Sequence, residues 1–232
     1  METNHLIKLH GIYKHFPMGR GMFTALSDVN LNIGRGEFAG LVGPSGSGKT
    51  TLLNIIGSLD NPSKGEAVVL GADVKGLNAK ESAKLRKTHL GFIFQSYNLL
   101  PVYNVFENVE FPLLLLDIDS GKRKKMVTEA LEWVGLTSKI KSKPSMLSGG
   151  ECQRVAIARS MVKRPELVLA DEPTANLDAE NSHHILQTMV QLNKELNTTF
   201  LFATHDEKVI KYLRRIIHLK DGMVTTDEII QN

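Results

Sequence analysis

The stretch FAGLVGPSGSGKTTLLNII, residues 38–56, changes character twice. FAGLV is an unbroken apolar run, as strands buried on both faces are. GPSGSGKT, Gly43 to Thr50, is then rich in glycine and small polar residues. TTLLNII follows with Leu52, Leu53 and Ile56 (and Leu59 beyond) spaced for one face of a helix. Strand, glycine loop and helix in that order form the P-loop pattern in the context it needs. Its glycines let backbone N–H groups turn inward around phosphate oxygens, and the helix N-terminus adds a positive dipole. The candidate phosphate site is Gly43, Pro44, Ser45, Gly46, Ser47, Gly48, Lys49, Thr50 and Thr51. In it Lys49 reaches the β- and γ-phosphates and the Thr50 hydroxyl binds Mg2+. The competing reading is a plain glycine-rich turn; the correct flanking elements favour the nucleotide.

Outward from this loop, apolar strands alternate with helices. GEAVVLG reads as a short strand bounded by glycines. From about Ala79 to Arg164 the pattern is mostly helical, with LGFIFQ as the main interruption. ELVLAD is an apolar strand, and AENSHHILQTMVQLNKEL is a helix with Ile185, Met189, Leu192 and Leu196 at core spacing. TFLFATHD is a strand, and RRIIHLKDGMVTTDEI reads as two strands turning on Asp221-Gly222. Strands alternating with helices imply an α/β fold with a largely parallel sheet, and the helical middle reads as a subdomain.

Open parallel sheets hold their ligands beyond the carboxyl ends of their strands, so the residues found there are the candidates. Asp171 and Glu172 end ELVLAD: beside a P-loop, Asp171 orients Mg2+ and Glu172 polarises the water that attacks the γ-phosphate. Two acids solvated in a loop are the bland alternative. Gln95 ends GFIF, where its amide reaches both Mg2+ and the attacking water. His205 ends FLFAT, and a lone histidine there reads as structural more readily than functional. Tyr13 and Phe16, in IYKHFPMG, read equally as core aromatics or as platforms for adenine.

MLSGGECQRVAIAR, residues 146–159, begins a helix in an unusual way. Ser148 is a natural N-cap and Glu151 completes a capping box. Yet Gly149 and Gly150 occupy the first turn, where each glycine costs about 1 kcal/mol against alanine. Something must approach that turn closely enough to exclude side chains.

Composition bounds the rest. The 232 residues are 42% hydrophobic and 23% charged, an ordinary globular balance, with one domain or one domain carrying an insertion as the expectation. The single cysteine, Cys152, excludes an internal disulfide and a cysteine-cluster zinc site. Buried inertness and a thiol beside the glycines that reacts are equally compatible with it. METNHLIKLH lacks the apolar core of a signal peptide, and FPLLLLDI falls far short of the roughly 20 residues that span a bilayer. A net charge of +3 identifies no partner. SGKRKK, residues 120–125, reads as a solvated helix face, with contact to lipid head groups or a membrane protein as the lesser alternative.

Taken together, the P-loop, Gln95, LSGGE, LADEP, NLD and ATHD resemble the ATP-binding-cassette ATPases, in the family's order and near its spacing, over nearly the whole chain. LSGGE is the piece that separates this family from other P-loop proteins. The resemblance implies an α/β cassette with a mostly parallel core sheet, an antiparallel β subdomain and a helical signature subdomain. It implies one nucleotide-binding domain over residues 1–232, with about 96–165 as the helical subdomain. It further implies hydrolysis of ATP with Mg2+ by a head-to-tail pair of cassettes. Ser148 and the N–H groups of Gly149 and Gly150 would touch the γ-phosphate held by a second copy, and Asp178 would lie at the seam. His205 would hold the γ-phosphate and position Glu172, and Phe16, rather than Tyr13, would lie against adenine.

Finer resemblance is to the subgroup of lipoprotein-releasing (LolD), macrolide-exporting (MacB) and cell-division (FtsE) ATPases, with the lipoprotein-releasing type nearest. It is carried by NIIGSLDNPSKGE, GFIFQSYNLLPVYNVFENVEFPL and ELVLADEPTANLDAEN. That subgroup implies a peripheral subunit at the cytoplasmic face of the inner membrane, partnered by permeases of four transmembrane helices. The groove for a permease helix would be built from residues that follow Gln95. Regulation of an extracytoplasmic enzyme, as in the FtsE type, is the alternative role. A soluble DNA- or ribosome-associated ATPase is a poorer match, since the chain has a short insertion, one cysteine and one P-loop, and no nucleic-acid partner is expected.

Overall fold

Two long strands, β1 (His5–Met18) and β2 (Gly21–Gly34), open the computed structural model as an antiparallel hairpin. The structure describes residues 5–19 and 21–230. β3 (Phe38–Val42) is buried along its whole length and leads through the glycine loop into α1 (Lys49–Ile56). β4 (Lys64–Val69) and β5 (Ala72–Asp73) complete a four-stranded antiparallel sheet of order β2-β1-β4-β5. Then follow α2 (Ala79–His89), β6 (Leu90–Phe94), α3 (Val105–Leu114), α4 (Ser120–Trp133) and α5 (Gly149–Met161). β7 (Leu167–Asp171), α6 (Ala179–Leu196), β8 (Thr199–Thr204), α7 (Glu207–Ile210), β9 (Arg215–Lys220) and β10 (Met223–Ile229) close the chain.

The second sheet has the order β10-β9-β3-β8-β7-β6 and is parallel except for β10. Its central strands are apolar because both faces are covered. One face packs on α3 to α6, with Phe38 and Phe202 in contact at a ring-centroid distance of 4.8 Å. The other packs on α1 and the antiparallel sheet, through residues such as Ile7, Leu52 and Leu201. Burying each phenylalanine contributes about 1.5–3 kcal/mol, so Phe202→Ala costs about 3–5 kcal/mol with its cavity.

Local chemistry starts the helices where the sequence indicates. Reciprocal capping boxes join Asn78 to Glu81, Asn104 to Glu107 and Ser148 to Glu151 at the starts of α2, α3 and α5. Asn108, fully buried in α3, accepts from the Leu100 N–H at 2.8 Å and donates to the Leu100 carbonyl at 3.1 Å. It thereby fixes the chain that leaves β6. In the basic run on α4, Lys122, Lys124 and Lys125 are exposed, while Arg123 pairs with Glu110 at 2.8 Å.

Two departures from the sequence reading have physical causes. The first strand, β1, escapes the alternation test because register shifts between Leu9 and Ile12, and again before His15, break its two-residue period. Leu59 does not belong to the α1 face: the helix is capped at Gly57, and Leu59 is half exposed beyond it. Among the described residues, no helix is long and apolar enough to cross a membrane.

Candidate nucleotide site

Four neighbouring parallel strands, β3, β8, β7 and β6, deliver the candidate residues to one end of the sheet. β3 runs into the glycine loop, β6 into Gln95, β7 into Asp171 and Glu172, and β8 into His205. They border a cavity of about 420 Å3 together with Ser45, Gly46, Gly48, Lys49, Thr50 and Thr51.

The loop conformation needs its glycines. Gly46 and Gly48 have φ of +81° and +101°, and a Cβ on Gly48 would lie 2.7 Å from the Ala25 carbonyl. A Cβ on Gly43 would collide with the Leu219 carbonyl. From behind, the Gly222 N–H donates to the Ser47 carbonyl at 3.1 Å, so the β9–β10 turn braces the loop. Lys49 is buried, its amine donating to the Gly43 and Pro44 carbonyls at 2.8 and 2.9 Å. The buried Ser47 hydroxyl has no hydrogen-bond partner. A cation anchored within a ring of backbone groups suits a polyphosphate.

Beside the loop, the Thr50 hydroxyl lies 3.1 and 3.0 Å from the two oxygens of Asp171. Burial pushes the Asp171 carboxyl above its usual range and neighbouring Glu172 adds to this, opposed by the Thr50 hydroxyl and Lys49. Hydroxyl, carboxylate and amide oxygens from Thr50, Asp171 and Gln95 are the hard donors Mg2+ prefers. Mg2+ is ordinarily held by one or two carboxylates plus substrate phosphates, so the residues fit it. Among the described residues, no cluster of three or more His, Cys, Asp or Glu side chains offers a protein-only cage.

Glu172 is the most constrained residue here. Its φ of +44° lies in the left-handed region, a strained state for a non-glycine that clusters at working sites. Its N–H donates to the Ala203 carbonyl at 2.9 Å, Thr204 donates to Oε2 at 2.9 Å, and Oε1 lies 2.5 Å from His205 Nδ1. A carboxylate fixed by both oxygens beside a metal site can orient and polarise a water.

The aromatic candidates divide. Tyr13 is half-buried on β1. Phe16, exposed, pairs across the hairpin with Phe23, and the Lys14 amine lies 5.0 Å from its ring centroid. Phe23, which the sequence reading did not single out, borders the cavity. Its only sequence signal is its place one strand over from Phe16.

The LSGGE segment lies apart from this cavity. Ser148 caps α5 by accepting from the Glu151 N–H at 3.2 Å, while its own N–H donates to Glu151 at 2.8 Å. Ser148 and Gly149 are exposed and Gly150 is buried, its Cβ position taken by the Asn181 side chain. Asp178 caps α6, accepting from the Asn181 N–H and side-chain amide, both at 2.8 Å, and the backbone bond holds its carboxyl below the usual range.

Residues 26–175 match the family model described as ABC transporter. The chain belongs to the ABC transporter ATPase family. Over 227 residues it is 43% identical to the uncharacterized ABC transporter ATP-binding protein MJ0796 of Methanocaldococcus jannaschii, covering 96% of this chain and 97% of that protein. It is likewise 43% identical to the macrolide export ATP-binding/permease protein MacB of Rhodopirellula baltica, covering 96% of this chain but 33% of that much longer polypeptide. The cassette superposes with a TM-score of 0.90 on the dimeric post-hydrolysis state of MJ0796 bound to ADP and Pi, at 41% identity, over 97% of this chain and 99% of that one. As an ABC ATPase it hydrolyses ATP with Mg2+, and its fold is the α/β cassette that the motifs imply.

Cys152 is buried and its thiol is pushed up chiefly by burial, which makes it a packing residue. Sequence reasoning missed the contacts that hold the site's loops together. Asn176 donates to the Gln95 carbonyl at 3.0 Å, and Arg159 donates to the carbonyls of Tyr97 and Asn98. Neither carries a local sequence signal.

Proposed function

We propose that this cassette is the ATPase subunit of a membrane complex that closes head to tail on two MgATP. In each site Lys49 and the glycine loop of one copy hold the phosphates, and Thr50, Asp171 and Gln95 hold Mg2+. Glu172, positioned by His205, activates the water. Ser148, Gly149 and Gly150 of the second copy complete the γ-phosphate site, Asp178 lies at the seam and Phe16 stacks on adenine. Residues 1–232 act as one domain in which about 96–165 form the helical subdomain.

The observation that carries this reading is that the capped, exposed start of α5 is absent from the rim of its own chain's cavity. A glycine-rich helix N-terminus suited to an anion therefore serves a phosphate held elsewhere. The dimeric structure of the similar MJ0796 cassette supports the pairing of two copies.

The driven partner is a permease with four transmembrane helices, for lipoprotein release or MacB-type export, with the cassette peripheral at the cytoplasmic face of the inner membrane. Similarity to the cassette third of MacB polypeptides, described as ATP-binding/permease proteins, supports it. So does a groove of about 680 Å3 beyond Gln95, where Phe92, Leu100, Phe111 and Leu115 line an apolar floor edged by Arg86 and Lys163. A helix from the permease fits such a groove. The test is to purify tagged Glu172→Gln from detergent-solubilised membranes with ATP and identify co-purifying proteins by mass spectrometry. Recovery of a four-helix permease supports the reading. Absence of the chain from the membrane fraction, with only soluble proteins or nucleic acid recovered, contradicts it.

A further inference from the structure

The groove beyond Gln95 combines an apolar floor with four cations. Phe92, Phe111, Leu59 and Leu115 line it, and the two leucines are half exposed. The charge comes from Arg86 and Lys87 in the last turn of α2, and from Arg159 and Lys163 at and just past the last turn of α5. Among the described residues, no aspartate or glutamate lines the groove.

These cations meet only neutral acceptors. Arg86 donates to the Ser58 carbonyl at 2.5 Å and Lys87 to the Leu115 carbonyl at 3.2 Å. Lys163 donates to the Arg86 and Lys87 carbonyls, both at 2.7 Å, and Arg159 to those of Tyr97 and Asn98 at 2.7 and 2.6 Å. Elsewhere, Arg123 and Arg164 reach glutamates, and Arg215 reaches both Glu37 and Asp227. The helix ends account for only part of the cluster. Each C-terminus carries about half a negative charge, so α2 and α5 together set about one against four. Burial meanwhile pushes the Lys163 amine down to about 8 and lowers the Arg159 guanidinium, the response of charge withdrawn from water without a carboxylate beside it. A surface that is apolar in its middle and acidic at its margin complements such a groove.

We propose that this groove takes a membrane-protein helix carrying carboxylates beside its apolar face, and that Arg86 and Lys163 pair with them. This rests on the membrane-complex reading above and adds the partner's chemistry to it. Apolar residues of the helix cover Phe92, Phe111 and the half-exposed leucines, while its carboxylates supply the missing counter-charge. The cations thereby select the partner, because a neutral or basic helix would bury them unpaired.

The test measures binding of the full chain with MgATP to inside-out vesicles from a host lacking its gene, stripped of peripheral proteins. The unaltered chain should bind saturably, and more weakly as salt rises. Blocking the vesicles' carboxylates with a water-soluble carbodiimide and glycine ethyl ester should weaken binding about tenfold or more. Acetylating their amines should leave it within about twofold. The double variant Arg86→Gln/Lys163→Gln should lose a similar factor and much of the salt dependence. Lys122→Gln/Lys124→Gln, on the exposed face of α4, should match the unaltered chain. Binding indifferent to both the carbodiimide and the groove variant overturns the proposal. Sensitivity to the carbodiimide with no effect of a folded groove variant also overturns it, placing the contact elsewhere. So does equal binding to protein-free vesicles of the host's own lipids, which would make the occupant an anionic lipid. The carbodiimide treatment uses the unaltered chain, so it is decisive whatever the stability of the variant. Failure of the unaltered chain to bind untreated vesicles at all defeats the membrane-complex reading itself, a result distinct from charge-independent binding.

Discussion

Oε1 of Glu172 and Nδ1 of His205 meet at 2.5 Å, at the ends of the neighbouring parallel strands β7 and β8. The glutamate side chain is 15% exposed and the histidine 63%, so the carboxylate is sheltered and the imidazole faces the open side. Thr204 holds the second carboxylate oxygen, which leaves Glu172 one orientation. On the proposed function this pair carries the water-activating step.

Glu172→Gln keeps the shape and removes the proposed base. Steady-state hydrolysis should fall about 10²–10⁴-fold, while equilibrium binding of ATP stays near the wild-type value. Turnover at the wild-type rate would reassign the base. His205→Ala frees one oxygen of Glu172 and should lower kcat more than it alters ATP binding.

Lys49→Ala removes the amine that donates to the Gly43 and Pro44 carbonyls of the glycine loop. Charge-assisted hydrogen bonds contribute about 1.5–3 kcal/mol each, so ATP affinity should drop at least about tenfold in a calorimetric titration. Retained affinity with lost turnover would move Lys49 from binding to chemistry alone.

Asp171 sets stability against function. Its carboxyl is held above the ordinary range, chiefly by burial. A carboxyl with a higher pKa folded than unfolded favours the folded state while protonated. That advantage is lost as pH rises from the unfolded value through the folded one. Asp171→Asn, a permanently neutral mimic, should therefore melt higher than the wild type at pH 7 without nucleotide. The difference should vanish below the ordinary carboxylate pKa of about 3.9. Turnover should be lost, since the amide brings no charge to Mg2+. Paired melting curves against pH check the sign; an asparagine variant less stable at pH 7 would contradict it.

Cys152 is 8% exposed and its pKa is raised, so an aromatic disulfide reagent should leave the native chain unmodified at pH 7 and label it rapidly once it is denatured. Fast labelling of the native chain, with loss of activity, would show that the start of α5 opens.

The sheet and its ligand end were legible because the evidence for them is local. Apolar runs end in Gly43, Gln95, Asp171 and His205, and the Ser148–Glu151 capping box is a four-residue pattern. What was illegible depends on contacts between distant residues. Gly150 could be read only as room for a phosphate, whereas the Asn181 side chain of the same chain occupies the place its Cβ would take. β1 hid behind its bulges, and Phe23, the cross-strand partner of Phe16, borders the cavity through a hairpin register that the sequence does not show.

The most direct test of the shared site is sedimentation velocity of purified Glu172→Gln, alone, with ADP and with MgATP. A shared site requires a monomer alone and with ADP, a dimer with MgATP, and loss of that dimer when Ser148→Arg is added. A chain that stays monomeric at saturating MgATP, or a dimer indifferent to Ser148→Arg, would contradict a γ-phosphate site completed by a second copy.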